Sequence, residues 1–114
     1  MNNDQKTGVD SCDKTFRASE KQIEQRLVEA VRNAGGLAPK FVSPGWDGVP
    51  DRIVLFPSGR MAFVELKRPG KKMRPLQMRR KKQLEHLGFE VFCVDDPGQI
   101  GGVIEKIKMG GDAR

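Results

Sequence analysis

Residues 51–67 read DRIVLFPSGRMAFVELK, two apolar, β-branched runs joined by four turn formers. That pattern predicts a β-hairpin, with strands at Arg52–Phe56 and Met61–Lys67 and a turn at Pro57-Ser58-Gly59-Arg60. Strand alternation puts Ala62, Val64 and Leu66 on one face of the second strand, and Met61, Phe63, Glu65 and Lys67 on the other. A carboxylate and an ammonium thus leave the same face, about 7 Å apart at a rise of roughly 3.4 Å per residue. The hairpin carries Asp51 back toward them. Pairing Phe56 with Met61 would set Asp51 opposite Leu66, on the wrong face, and a one-residue shift or a bulge after Pro50 would restore it. The register stays open at this level, but Asp51, Glu65 and Lys67 meet at one end of one hairpin.

The rest of the chain is built around that hairpin. Ser19-Glu20-Lys21-Gln22 has capping-box spacing, Ile23, Leu27, Ala30, Val31 and Ala34 follow at helical intervals, and Gly35 ends the helix. Leu37–Val42 is expected as a short strand, weakened by Pro39, and residues 43–50, SPGWDGVP, as a loop. A second helix is expected from Arg74-Pro75 to Leu87, closed by Gly88. A buried strand follows over Phe89–Val94, then a turn at Asp95–Gly98 and a short helix carrying Ile100, Val103, Ile104 and Ile107. The predicted order is α-β-β-β-α-β-α, an α/β arrangement of a mixed sheet flanked by helices. At 114 residues one domain is expected, over 19–108, with tails at 1–18 and 109–114. Ile53, Val54, Leu55, Phe89, Val91, Phe92 and Cys93 are expected in the core.

Several chemistries are excluded. The chain has one histidine, His86, two cysteines, Cys12 and Cys93, and no tyrosine. A zinc site, a histidine-based catalytic network, a disulfide framework and tyrosine nucleophiles are therefore not expected. No apolar run approaches the roughly 20 residues of a membrane span. The first residues lack the apolar stretch of a signal peptide, so an intracellular protein is expected.

Charge is concentrated. Residues 67–82, KRPGKKMRPLQMRRKK, hold nine of the 21 Lys+Arg (Lys67, Arg68, Lys71, Lys72, Arg74, Arg79, Arg80, Lys81, Lys82) and no acid, leaving 12 bases against 15 acids elsewhere. A block this dense points to phosphate neutralisation and a nucleic-acid partner, against the plainer alternative of a solvated surface.

Adjacent carboxylates repel unless a cation lies between them, and hard oxygen donors suit Mg²⁺ or Mn²⁺. From spacing alone, Glu65 and Lys67 are as well explained by a surface ion pair, with Asp51 shaping a turn. The first helix tips the balance. On a helical wheel Glu24 falls inside the apolar stripe, between Val28 and Val31, where an acid is costly unless it is paired or binds a metal. Glu20 is the reserve, in a first turn that favours acids anyway.

Val49-Pro50-Asp51, followed by a hairpin and Glu65-Leu66-Lys67, resembles the PD-(D/E)XK nuclease signature. The longer string SPGWDGVPDRIVLFPSGRMAFVELKRPGKKMRPLQMRRKKQLEHLGFEVFCVD resembles the VRR-NUC branch, especially its small stand-alone, phage-type members, and IEQRLVEAVRNAGG resembles the family's opening helix. The likeness covers about residues 19–108. It implies a restriction-endonuclease-like core and divalent-metal-dependent hydrolysis of DNA, with Mg²⁺ or Mn²⁺. It also implies a homodimer acting on branched DNA such as Holliday junctions, in a bacterial or phage-infected cell. Carried over by position, Asp51, Glu65 and the Leu66 carbonyl would ligate the metal and Lys67 would be the catalytic lysine. Glu24 would act through the metal or its water, and Gln77 would be an orienting polar group. Lys40, Ser43, Gly45, Arg52, Arg68, Lys71, Lys72, Arg74, Arg79, Arg80 and Lys81 are the candidate DNA contacts. Ser43, Gly45 and Gly48 are equally explained as turn formers, and Trp46 as a packing residue or a base-stacking one. The competing expectations are a non-catalytic DNA-binding module and an interaction subunit of a phage replication or recombination complex.

Overall fold

Ser19 starts the first helix as its spacing predicts. Its hydroxyl accepts from the Gln22 amide at 3.1 Å, and Gln22 Oε1 accepts from the Ser19 amide at 2.8 Å. In the computed structural model, which describes residues 18–110, this helix is α1, Glu20–Asn33. It buries Ile23, Leu27 and Val31, and Gly35 beyond its end takes φ +97°. The proposed tail over 1–18 lies outside the described residues except for Ala18, as do Cys12 and residues 111–114.

The hairpin forms β1, Arg52–Phe56, and β2, Arg60–Leu66, joined by a 3-10 turn at Pro57–Gly59. Phe56 pairs with Arg60 rather than Met61, and the register runs without a bulge to Arg52 opposite Val64. This is the one-residue shift that returns Asp51 to the face of Glu65. After α2, Pro75–His86, the chain enters β3, Val91–Val94, parallel to β2, then a 3-10 turn at Pro97–Gln99 and α3, Ile100–Met109. The order β1-β2-β3 is a mixed sheet.

Leu37–Val42 is not a continuous strand, so the expected order loses one β element. Two isolated bridges, Leu37 with Leu55 and Lys40 with Arg52, tie this segment to β1. Pro39 has no N–H to give and joins only through its carbonyl, which accepts from Ile53 at 3.0 Å. Val42 is exposed.

The two faces of the sheet are unequal. On one, Val54, Phe56, Ala62, Val64, Leu66 and Val94 pack under α1 and α3, against Ile23, Leu27, Val31, Ile100, Val103, Ile104 and Ile107. On the other, Phe63, Leu84 and Val91 form a thin cluster with Phe41, Trp46, Ile53 and Met61. The reason is α2 itself, whose only buried residues are Gln77 and Leu84. It cannot cover the whole face. Leu55 and Phe89, expected in the core, are accordingly 39% and 42% exposed, although Phe89 meets Phe63 edge-on with ring centroids 5.7 Å apart. Phe92 and Cys93 are half-buried.

Gly36 marks the tightest approach of the segment after α1 to β1. A Cβ there would strike the Leu55 carbonyl oxygen and the Phe56 ring. Because one obstacle is backbone in a paired strand, Gly36→Ala is expected to cost about 1–3 kcal/mol, measured by chemical denaturation.

Candidate active site

The site lies at the end of β2, on the face turned toward α2. The register extends one residue past Arg52–Val64, so Asp51 falls beside Glu65, and β3 places Cys93 on the other side of Glu65. Asp51 Oδ2 accepts from the Leu66 amide at 2.8 Å, which fixes the carboxylate at the strand end. Lys67 follows directly, its amide bonded to the Val94 carbonyl at 2.9 Å and its Nζ 3.6 Å from Glu65 Oε2. Pro75 begins α2, and Gln77 stands in the first turn. Gln77 Oε1 accepts from the Arg74 amide at 2.9 Å, while its Nε2 donates to Glu65 Oε2 at 2.6 Å. Asp51, Glu65 and Lys67 of the hairpin and Gln77 of α2 therefore stand together.

The electrostatics are unusual for so small a domain. Glu65 is 1% exposed, Lys67 and Gln77 each 7%. Burial first, then the Asp51 charge, push the Glu65 carboxyl up to about 7, and Lys67 offsets only part of this. Asp51 is also raised, mainly by burial, with the Leu66 amide opposing. The Cys93 thiol, which the sequence reading placed in the core, is raised by burial and by Glu65. Its role as a wall of the site was not visible without the β2–β3 register.

One atom of the group is unsatisfied. Glu65 Oε1 is buried and has no hydrogen-bond partner among the described residues. A buried carboxylate oxygen without a partner costs free energy, and a cation would remove that cost. Two carboxylates and the adjacent main chain give the hard oxygen donors that Mg²⁺ or Mn²⁺ prefers, and Mg²⁺ ordinarily keeps several waters. The residues present thus fit a divalent metal held by Asp51, Glu65 and a backbone carbonyl such as that of Leu66. No set of three or more His, Cys, Asp or Glu is placed to hold a metal among the described residues.

Glu24 does not join this group. Its Oε2 accepts from Arg52 Nε at 2.9 Å, and Arg52 Nη1 donates to the Ala38 carbonyl at 2.8 Å. Arg52 sits opposite Val64, on the α1 face, so the acid inside the apolar stripe of α1 has a base as its partner. Glu24 still raises Asp51 through its charge. Glu20 is exposed and lines a cleft of about 470 Å³ with Ser19, Arg68, Pro69, Gly70 and Lys71.

The candidate DNA contacts divide into two sets. Arg52 is committed to Glu24 and Ala38, Arg80 to the Asp47 carbonyl at 2.7 Å and Gln83 at 3.0 Å, and Lys81 to Glu85 at 2.6 Å. Arg68, Lys71, Lys72, Arg74 and Arg79 are exposed, as are Lys40 and Gly45, while Ser43 is half-buried; Lys82, the last base of the run, is exposed as well. Trp46 packs under Arg80, 5.1 Å from ring centroid to guanidinium carbon. His86 is exposed at the end of α2.

No family model matches the chain. A protein of Acyrthosiphon pisum secondary endosymbiont phage 1, named "Putative nuclease p44", is 51% identical over 76 residues, 67% of this chain and 82% of the relative. A solved structure named "VRR_NUC domain" matches with a TM-score of 0.71 at 31% identity, over 77% of this chain and 97% of that one.

Proposed function

The chain belongs to the VRR-NUC family, a nuclease family, and from that membership we propose an endonuclease that hydrolyses DNA with Mg²⁺ or Mn²⁺ and prefers branched substrates such as four-way junctions. The observation that carries the metal dependence is Glu65 Oε1, buried and unpartnered beside a second carboxylate. When bound by Asp51, Glu65 and the Leu66 carbonyl, a divalent cation supplies Lewis acidity toward the scissile phosphate and the attacking water. The chain's own groups do the rest. Lys67 holds a positive charge where negative charge develops on the phosphate and orients the water by hydrogen bonding. Gln77 holds Glu65 Oε2, and the Leu66 amide holds Asp51, so neither carboxylate must reorganise during the reaction. The preference for branched DNA rests on size. A domain this small offers little surface for base readout, so recognition of shape and phosphates is favoured. A homodimer would give two such sites related by a two-fold axis, as paired cuts require.

The test is cleavage of labelled four-way-junction and matched linear duplex DNA with Mg²⁺, Mn²⁺ or EDTA. Paired nicks on the junction that vanish in EDTA are expected. Equal cutting of both substrates would remove the branched preference. Tight binding with no product under any metal would replace the nuclease by a DNA-binding module.

Salt dependence offers a separate check. With Arg80 and Lys81 engaged internally and Lys67 buried, six cations of the basic run remain for phosphates: Arg68, Lys71, Lys72, Arg74, Arg79 and Lys82. The logarithm of the duplex binding constant is expected to fall against log salt with a slope of about −5, against about −8 if all nine took part. Fluorescence anisotropy in EDTA over a salt series measures it.

A further inference from the structure

Arg80 lies in the middle of the basic run, yet its contacts are all internal. Nε donates to the Asp47 carbonyl at 2.7 Å, Nη1 donates to Gln83 Oε1 at 3.0 Å, and the guanidinium lies over Trp46. Two of these three contacts fall on the loop that leads through Pro50 into Asp51. One turn earlier on the same helix, Gln77 holds Glu65. Just before Gln77, Leu76 packs against Gly48, so closely that a Cβ on Gly48 would come within 2.7 Å of Leu76 Cγ. Gly48 also holds φ +84°, a conformation that favours glycine. α2 therefore grips the carriers of both carboxylates: Glu65 directly, and Asp51 through the segment before it.

We propose that Arg80 is a positioning residue, which locks the Trp46–Asp47 segment onto α2 and so sets Asp51 against Glu65, and that it is not a DNA contact. The chemistry of the side chain supports this. A guanidinium can donate from its edge while its face stacks on an aromatic ring, and Arg80 does both. A lysine ammonium carries the same charge to a phosphate but cannot reproduce an edge bond and a stacked face together. The neighbours Arg79 and Lys82 are exposed, with no hydrogen bond or ion pair among the described residues, and remain available to DNA. The consequence for cleavage rests on the metal-dependent reading above; the contact itself does not.

Trp46 is the chain's one tryptophan, so its emission reports the lock. The experiment compares full-length wild type, Arg80→Lys and Arg79→Lys. Acrylamide quenching is measured without DNA, duplex binding in EDTA, and cleavage across a Mg²⁺ series. Arg80→Lys is expected to make Trp46 clearly more quenchable and to raise the Mg²⁺ concentration for half-maximal cleavage by about tenfold, the scale seen when groups that orient metal ligands are lost. Its binding to duplex in EDTA is expected to match wild type. Arg79→Lys is expected to leave Trp46 quenching as in wild type. The proposal is overturned if Arg80→Lys leaves quenching unchanged, or if it weakens DNA binding while the Mg²⁺ requirement stays put. If wild type cleaves nothing with any metal, the nuclease reading fails, and quenching together with EDTA binding still decides whether Arg80 locks the loop.

Discussion

Lys67→Ala is expected to lower the rate of DNA cleavage by about 10²–10³-fold, while duplex binding in EDTA changes by no more than about threefold. The asymmetry follows from where Lys67 stands. It is 7% exposed, its amide is tied to Val94, and its Nζ is 3.6 Å from Glu65, so it adds little to the outer phosphate-binding surface. Its charge is instead fixed in a nearly dry site, where electrostatic stabilisation of a developing anion is strongest and costs no reorganisation. Lys67→Ala also removes the nearest positive charge from Glu65, which drives that carboxyl further up. Lys67→Arg is not expected to restore the rate, since the planar guanidinium does not fit the space of a compact ammonium. Single-turnover cleavage at saturating Mg²⁺ measures the loss. A Lys67→Ala variant cutting at the wild-type rate would place the chemistry elsewhere.

Glu65→Gln is expected to stabilise the fold above neutral pH while abolishing cleavage. Glu65 titrates near 7 in the folded protein against a reference of 4.5, so the folded state holds the proton more tightly. Stability from this group is fully present below about 4.5 and is lost as pH rises through about 7, because there the unfolded state binds fewer protons. The difference between 7 and 4.5 corresponds to about 3 kcal/mol without divalent metal. Asp51 is raised in the same sense and adds to the slope. A glutamine at position 65 cannot ionise, and its amide oxygen still accepts from Gln77. Urea denaturation in EDTA between pH 5 and 8.5 should show wild type losing stability that Glu65→Gln keeps. Mg²⁺ at pH 8 should restore stability to wild type and do much less for Glu65→Gln, since only wild type offers the ionised carboxylate as a ligand. Parallel pH profiles for the two proteins would show that Glu65 ionises in the fold without cost.

Much of this arrangement was legible from short stretches of chain. The capping box at Ser19 and Gln22, the hairpin at 52–66, the start of α2 at Pro75 and α3 through Ile107 all depend on interactions within a few residues. Local spacing and local hydrogen bonding are enough to specify them. The pairing of acid, acid and lysine at one hairpin end was equally local, because alternation along a strand is strict. Gln77 is different: the resemblance to a known nuclease family pointed to it, and the structure gives it a contact with Glu65 that spacing could not supply.

What remained hidden depends on partners far apart in sequence. Alternation put Asp51 near Glu65, but only the observed Phe56–Arg60 pairing put both on one face, since a slip of one residue reverses every side chain. Glu24, an acid inside an apolar stripe, needs a partner, and only packing of α1 on the sheet brings Arg52, 28 residues away, within reach of it. Arg80 looked like its neighbours in an acid-free run, and the folded positions of Asp47 and Trp46 withdrew it from that run. Leu55 and Phe89 had core-like sequences, and the mostly polar α2 left them uncovered. The sequence by itself thus determined the elements other than the strand expected at Leu37–Val42, and which ionisable groups share an element, because those follow from hydrogen bonds and periodicity over a few residues. The tertiary structure alone decided which charges are spent internally and which face outward, because a charge is satisfied by whatever the packing brings within about 3 Å of it.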